Sequence, residues 1–355
     1  MKLSYKPRYP KNTKLKIGIV GAGEIVKYSH LPAYKMANFE VTAIFDINKQ
    51  KARALAEEFN IKYICKTAEE LASLDCVDII DIATPVEVTP IIVEYACKFG
   101  KHVLCQKPLA TSLKQAILIE QMLKEANLKG AINHQMRYSP SVNAAKDALK
   151  KNVIGDISYL AFNINVHQPW ENWKFWHNTP NFAIWGHTIH YFDTLRYLLE
   201  RSPKFIYTQT SPGVNRNLPG SIKNYSFLDF GANLKSQVDV NHDNKCSLDD
   251  WKAGFRIEGH KGIINGTNGA LHNYPHGKKD EIEIFTIDDD QWHRPKLEGR
   301  WFPHAFMGTM GELMLSIDNN TEANNSIANG IDTIKMVEAS IISINENRPV
   351  YLEEL

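Results

Sequence analysis

From Leu15 onward, short apolar runs alternate with amphipathic ones. Residues 15–20, 41–45, 77–83, 102–105 and 131–133 are short and mostly apolar, the texture of strands buried on both faces. Helical stretches lie between them. Thr67 and Glu70 stand at capping-box spacing, Gly100 marks a helix end, and Ser112 opens the amphipathic run SLKQAILIEQMLKEANL. Such alternation predicts a parallel sheet wrapped by helices. After a helix predicted over 141–151 and a turn at Gly155-Asp156, the texture changes to longer strand-like runs: ISYLAFNINVH, IKNYSFLDFG, NLKSQVDVNH, AGFRIEGH, GIINGT and EIEIFTI. Short turns such as Phe230 to Asn233 join them, which predicts antiparallel pairing. Two helices complete this half, over about 187–200 and about 326–345. The expected fold class is therefore α/β: an N-terminal Rossmann domain with a parallel sheet, then a C-terminal α+β domain with a mostly antiparallel sheet. The expected boundaries are a lead-in over 1–14, a dinucleotide-binding domain over 15–135, and a substrate-binding and oligomerisation domain over 136–355.

Composition narrows the function classes. The 355 residues are 43% hydrophobic and 23% charged, ordinary for a folded globular chain. Lys+Arg 41 against Asp+Glu 40 leaves a net charge of +1, without the basic footprint of a nucleic-acid binder. The most apolar stretch, 77–96, is interrupted by Asp78, Asp81, Pro85, Glu87, Pro90 and Glu94, so no membrane span is expected. The basic N-terminus leads into no apolar signal region, and the five cysteines are odd in number with no CxxC spacing. A reducing cytoplasm is the expected setting.

In KIGIVGAGEIV, Gly21-Ala22-Gly23 follows an apolar strand and precedes a helix-like stretch opened by Glu24 and Ile25. Glycines there permit a tight turn and let a pyrophosphate approach the helix N-terminus, which favours anions. Val26 holds the place of the third fingerprint glycine. Asp46, at the end of the second strand, suits the adenosine ribose hydroxyls and would repel a 2'-phosphate, which favours NAD over NADP. A turn-capping carboxylate is its other reading, and nearby Lys49, Lys51 and Arg53 keep NADP as the less favoured cofactor. Ala83-Thr84-Pro85 ends another strand, where the cofactor crevice is expected.

Cys105-Gln106-Lys107-Pro108-Leu109-Ala110 follows the fifth strand. Together with GIVGAGEI, VDIIDIATP, GDISYL and IHYFDTLRYLL, it resembles the Gfo/Idh/MocA family of NAD(P)-dependent oxidoreductases over nearly the whole chain. The family's Glu-Lys-Pro is here Gln106-Lys107-Pro108, its Asn and His after the Thr-Pro turn are Val86 and Thr89, and its aspartate before the helix histidine is Gly186. The QKP, GHTIH and Trp-rich features look like the branch of D-apiose dehydrogenases, which oxidise a branched aldopentose to a lactone.

Hydroxyl oxidation needs a base as the hydride leaves, and imidazole titrates near working pH. In GHTIHYFDTLRYLL, His187, His190, Asp193 and Tyr197 recur at three- and four-residue spacing on one helix side, opposite Ile189, Phe192, Leu195 and Leu199. The resemblance implies Lys107 and His190 as catalytic residues, with His187 filling part of the space left at Gly186. A core imidazole is the alternative for His190. A metal on His-x-x-His-x-x-Asp is disfavoured, because nicotinamide accepts the hydride and no fourth ligand stands at suitable spacing. Lys107 can relay the proton of the reacting oxygen; a helix start disfavours a merely solvated cation there. Trp170, Trp173, Phe175 and Trp176 sit among polar groups, as in a sugar-binding loop or a subunit contact. The stretch 294–302 (RPKLEGRWF) belongs near the site or near such a contact.

The candidate substrate contacts are Lys107, Gln135, Trp176, His187 and His190; the cofactor contacts are Gly21, Ala22, Gly23, Glu24, Ile25, Asp46, Thr84, Pro85, Gln106 and Lys107. The expected function is NAD-dependent oxidation of a sugar or polyol hydroxyl, foremost an aldose C1 to a lactone. A non-catalytic dinucleotide sensor and an NAD-recycling lyase or glycosidase are the alternatives. The expected partners are a small-molecule substrate and further copies of the chain, as a dimer or tetramer, with neither nucleic acid nor membrane.

Overall fold

The computed structural model describes residues 1–214, 217–246, 248–272 and 277–355, apart from the side chains of Phe175 and Leu248. The chain divides into two compact units, one formed by Pro7–Gln135 with Pro303–Ile331, the other by Met1–Lys6, Met136–Phe302 and Asp332–Leu355.

The first unit is built on six parallel strands: β1 (Lys16–Val20), β2 (Glu40–Phe45), β3 (Tyr63–Ile64), β4 (Ile79–Ile82), β5 (His102–Cys105) and β6 (Gly130–Ile132). Their order is β3-β2-β1-β4-β5-β6. The order reverses beside β1, and at such a switch point the strand C-termini open a crevice. Ile17, Ile19 and every residue of β4 are buried, as expected of strands covered on both faces. Helices α1 (Leu31–Ala37), α2 (Lys49–Phe59), α3 (Ala68–Ala72), α4 (Thr89–Lys98) and α5 (Leu113–Glu125) connect them. The local punctuation acts as its chemistry dictates. Thr67 accepts from the Glu70 amide at 3.0 Å and Ser112 from that of Gln115 at 3.2 Å, satisfying donors at each helix start. The segment 303–331 also belongs to this unit and covers the open edge of β6. Asn325 accepts from the Ile132 amide at 2.8 Å through its carbonyl and returns a side-chain bond to the Ile132 carbonyl at 3.0 Å. An edge strand is thereby closed to stray pairing.

The second unit opens with α6 (Pro140–Lys150) and carries nine strands. These are β7 (Ile157–Asn165), β8 (Phe205–Ser211), β9 (Lys223–Asp229), β10 (Lys235–Asn241), β11 (Lys252–Gly259), β12 (Gly262–Thr267), β13 (Ile282–Thr286), β14 (Gln291–His293) and β15 (Val350–Tyr351). Their order is β14-β13-β12-β11-β7-β10-β9-β8-β15. All pairs are antiparallel except β7 with β10. Burial alternates along them: Leu160, Phe162 and Ile164 point into the core while their neighbours do not. The β9–β10 turn places Gly231 at φ +88°, which a glycine adopts without strain.

Helix α7 (Ile189–Leu199) is entered through a π-helical turn, Ile184–Thr188, and all but three of its residues are buried. The polar side expected from its spacing is therefore packed rather than open. Asp193 is 1% exposed and accepts two bonds from Arg137, at 2.6 and 2.5 Å, with a third from Thr333 at 3.2 Å. Tyr197 donates to Asn143 at 3.0 Å. Lys146 donates to the carbonyls of Tyr197 and Leu198, capping the C-terminal end of α7 where a cation is favourable. Helices α8 (Ala305–Asp318) and α9 (Ile327–Glu346) complete the chain's regular structure.

Removing one partner of a buried ion pair leaves an uncompensated charge, which costs about 3–5 kcal/mol. Asp193→Ala should lower stability by that amount in urea unfolding, whereas Arg137→Met with Asp193→Leu should recover most of it. A loss below about 1 kcal/mol in Asp193→Ala would mean that the pair does not hold α7 in place.

Candidate active site

The C-terminal edge of the parallel sheet assembles most of the candidate cofactor contacts. Gly21 sits at φ +114°, and a Cβ on it would lie 2.4 Å from the Ala83 carbonyl oxygen, so no other residue fits the turn. Its amide donates to the Phe45 carbonyl at 2.7 Å. Beside it, the Ala22 amide donates to Asp46 Oδ2 at 2.7 Å, and the Asn48 amide to Asp46 Oδ1 at 2.7 Å. Asp46 thus caps the glycine loop, the bland alternative of its two readings, yet an ionised carboxylate offers about four acceptor positions and two remain. Gly23 is different: apart from its chain neighbours, no atom of the described residues lies within 4 Å of where its Cβ would be. Glu24 and Ile25 then open the first helical turn, whose amides lack intrahelical acceptors by their place in the helix. Val26, fully buried, begins a π-helical turn through His30.

At the next strand end, the Thr84 hydroxyl is buried without a hydrogen-bond partner among the described residues, and Pro85 leads into a short 3-10 turn. The open cradle at Gly23 and the unused Thr84 hydroxyl both fit a bound dinucleotide. One strand further, Gln106 Oε1 accepts from the Lys107 amide at 2.8 Å, and the Gln106 amide donates to the Ile82 carbonyl at 2.8 Å. The Lys107-Pro108 bond is cis. Loss of hydration on burial lowers the Lys107 ammonium from 10.5 to about 7. Gln135, just beyond β6, is buried, and its amide oxygen has no partner.

The second unit holds the remaining candidates. His190, 6% exposed, meets the edge of Trp301 with ring centroids 5.5 Å apart and that of His187 at 6.5 Å. Trp301, from the stretch flagged by its RPKLEGRWF composition, is buried against the candidate base. His187 sits in an aromatic box: Trp170 at 4.9 Å, His242 at 4.8 Å, and Trp173 nearly parallel at 5.7 Å. Trp170 Nε1 donates to His242 Nδ1 at 3.2 Å.

Neither the sugar-loop nor the interface reading of the tryptophans describes Trp170. It is fully buried in a core cluster with Phe182, Ala183 and Ile222, against which Trp173 and Trp176 pack. That core accounts for Gly186. A Cβ there would lie 2.9 Å from the six-membered ring of Trp170 and 3.4 Å from Trp176, so the indole occupies the room a side chain would need.

Two features escaped the sequence reading. Asp81 and His30, both fully buried, pair at 2.6 Å beneath Gln106, and Asn133 reaches the same imidazole at 3.2 Å. An aspartate inside the run Ile79-Ile80-Asp81-Ile82 was the available signal, since a buried carboxylate demands partners.

Comparison with known proteins places this geometry. Residues 15–134 match the NAD-binding Rossmann-fold model of the GFO_IDH_MocA oxidoreductase family, and residues 146–352 match that family's C-terminal alpha/beta domain. The chain is 28% identical to the glucose-6-phosphate 3-dehydrogenase of Bacillus subtilis, over 73% of its length and 76% of the relative's. It is 22% identical to the D-apiose dehydrogenase of Paraburkholderia graminis, over 96% and 91%. An oxidoreductase from Agrobacterium radiobacter, solved with NAD+, L-tartaric acid and magnesium, shares the fold at a TM-score of 0.84, with 21% identity over 96% of this chain and 99% of that one. By both domains and by its glycine loop, the chain belongs to the Gfo/Idh/MocA family of oxidoreductases, with an NAD-binding Rossmann domain followed by the family's C-terminal α/β domain.

Proposed function

We propose that the protein oxidises a hydroxyl of a sugar or polyol with NAD, foremost an aldose C1 hydroxyl to a lactone, D-apiose being one such substrate. The observation that carries this reading is an amine brought to about 7 by burial at the end of β5 in an NAD-binding Rossmann domain. Working acid-base groups have values near the operating pH. The activities named for the relatives from Bacillus subtilis and Paraburkholderia graminis support the substrate class. When bound, NAD supplies the hydride acceptor. Gly21, Ala22, Gly23, Glu24 and Ile25 hold its pyrophosphate, Asp46 its ribose, and Thr84, Pro85 and Gln106 its nicotinamide half. Lys107 hydrogen-bonds the reacting oxygen, and His190 takes its proton. Gln135, Trp176 and His187 orient the sugar, His187 being held by its aromatic box.

Three outcomes test this reading. NAD should bind more tightly than NADP, and Asp46→Asn, which removes the charge but keeps an acceptor for the loop, should erode the preference in fluorescence titrations. Equal affinities in the unmodified protein would remove Asp46 from this role.

Lys107→Ala and His190→Ala should each lower kcat by about 10²- to 10⁴-fold while NAD binding stays measurable. The kcat/KM of oxidation should rise with pH as His190 loses its proton, and that limb should shift or vanish in His190→Asn. Near-normal turnover in both alanine variants, with NADH formation followed across aldopentoses, branched pentoses, hexoses and inositols, would refute the catalytic assignment.

Burial of the amine also leaves a mark on stability. Between about 7 and 10.5 the unfolded chain binds more protons at Lys107 than the folded one, so stability rises with pH across that window. Lys107→Met should therefore be more stable than the parent near pH 7, and the gap should shrink as pH approaches 10. A pH-independent difference in urea midpoints would contradict the lowered value.

A further inference from the structure

Beneath Lys107, a buried polar chain within the Rossmann unit is left unused by the reading above. Asp81 and His30 are both 0% exposed. Asp81 Oδ2 lies 2.6 Å from His30 Nδ1 and accepts from the Tyr34 hydroxyl at 2.7 Å. On the far side of the ring, His30 Nε2 faces the side-chain nitrogens of Gln106 at 3.3 Å and Asn133 at 3.2 Å. Phe306 covers the ring at 5.0 Å between centroids.

One backbone amide sets every proton in this chain. The Lys107 N–H can only donate, so the Gln106 atom 2.8 Å from it must be the carbonyl oxygen. The NH₂ end of Gln106 therefore points at His30 Nε2, which must be bare. A neutral imidazole with a bare Nε2 carries its proton on Nδ1. Nδ1 then donates to Asp81, whose oxygen also receives the Tyr34 hydroxyl and so acts purely as an acceptor. Each link has one direction only.

We propose that His30 is a positioning residue: anchored by Asp81, its ring fixes the amide of Gln106 and, through it, the main chain of Lys107. The functional part of this inference rests on the role proposed above for Lys107. Glutamine at position 106 is matched to this arrangement. A carboxylate there would still accept from the Lys107 amide, but its other oxygen would face Nε2, and the ring would have to carry a second proton. The Gln-Lys-Pro departure and the buried pair are thus one device. The charged or titratable groups facing the ring among the described residues are Asp81 from β4 and Tyr34 from α1; the end of β5 contributes the neutral Gln106, the segment after β6 the neutral Asn133, and α8 the apolar Phe306.

The test uses the whole protein and readouts that need no substrate. Nitrogen NMR of the labelled histidines, with His30 assigned by difference, should show Nδ1 protonated and Nε2 bare in the parent. In Gln106→Glu, both ring nitrogens should be protonated. Lysine NMR should show the Lys107 amine titrating near 7 in the parent and at least about one pH unit higher in His30→Leu, whose loosened main chain lets water reach the amine. His30→Gln, which keeps an acceptor facing Gln106, should restore the parent value. An Nε2-protonated ring in the parent, or a Lys107 titration unmoved in His30→Leu, would overturn the proposal. Should His30→Leu fail to fold, Gln106→Glu decides: a doubly protonated ring supports the relay, and a bare Nε2 overturns it. A shifted Lys107 titration with unchanged turnover would refute the catalytic role of Lys107 and leave the relay standing.

Discussion

A carboxylate with no access to water needs donors, and Asp81, in the middle of β4 at the centre of the parallel sheet, gathers two of them on Oδ2. Its partners are not neighbours in sequence. His30 and Tyr34 reach it from the helix that follows the glycine loop, so the charge draws that helix onto the sheet. The outer nitrogen of His30 then gathers Gln106 at the end of β5 and Asn133 at the end of β6. One strand, two strand ends and one helix therefore meet in a single buried hydrogen-bonded chain. Breaking such a pair costs several kcal/mol because the remaining charge is stranded. The edge that carries the glycine loop, Thr84 and Lys107 inherits its rigidity from this constraint.

Elements announced by local chemistry were legible in the sequence. The strand 102–105 and the run GIINGT over 262–267 lie where their apolar texture placed them, and Thr67 and Ser112 cap the helices they precede. Such signals lie within a few residues of their effect. Strand β8 and the edge strands β14 and β15 carried no comparable signal. Helix α8 escaped because AFMGTMGELMLSID is apolar almost all round and shows no amphipathic stripe; most of it is buried. The helix 187–200 was legible as a helix, but its polar side was read as open. Asp193 is claimed by Arg137, 56 positions away, and nothing in the spacing of one helix reveals a partner at that distance.

The candidate site shows the same division. Gly21 was legible because only glycine tolerates its turn, whereas the helix start expected at Lys107 lies further on, at Leu113 behind the Ser112 cap. The glycine at 186 was legible as a departure from the family, while its cause was not. Trp170 lies 16 positions earlier, and its burial places an indole where a side chain at 186 would stand. A side chain at 186 would press on this tryptophan, and His187 and His190 are met by aromatic rings instead.

Lys107 raises the opposite problem, since burial strips hydration from its ammonium. The Gln106 oxygen is spent on its backbone, and Leu109 and Ala110 beside it are buried. Burial withdraws solvation, and the amine responds by holding its proton less tightly. A lysine left to the stability of the fold alone would be replaced here by an apolar residue of similar shape. The surrounding structure instead spends hydrogen bonds on its main chain and leaves the amine near neutrality. That combination, a rigid backbone beneath a poorly solvated amine, is what a site must build when it needs a proton to move at ordinary pH.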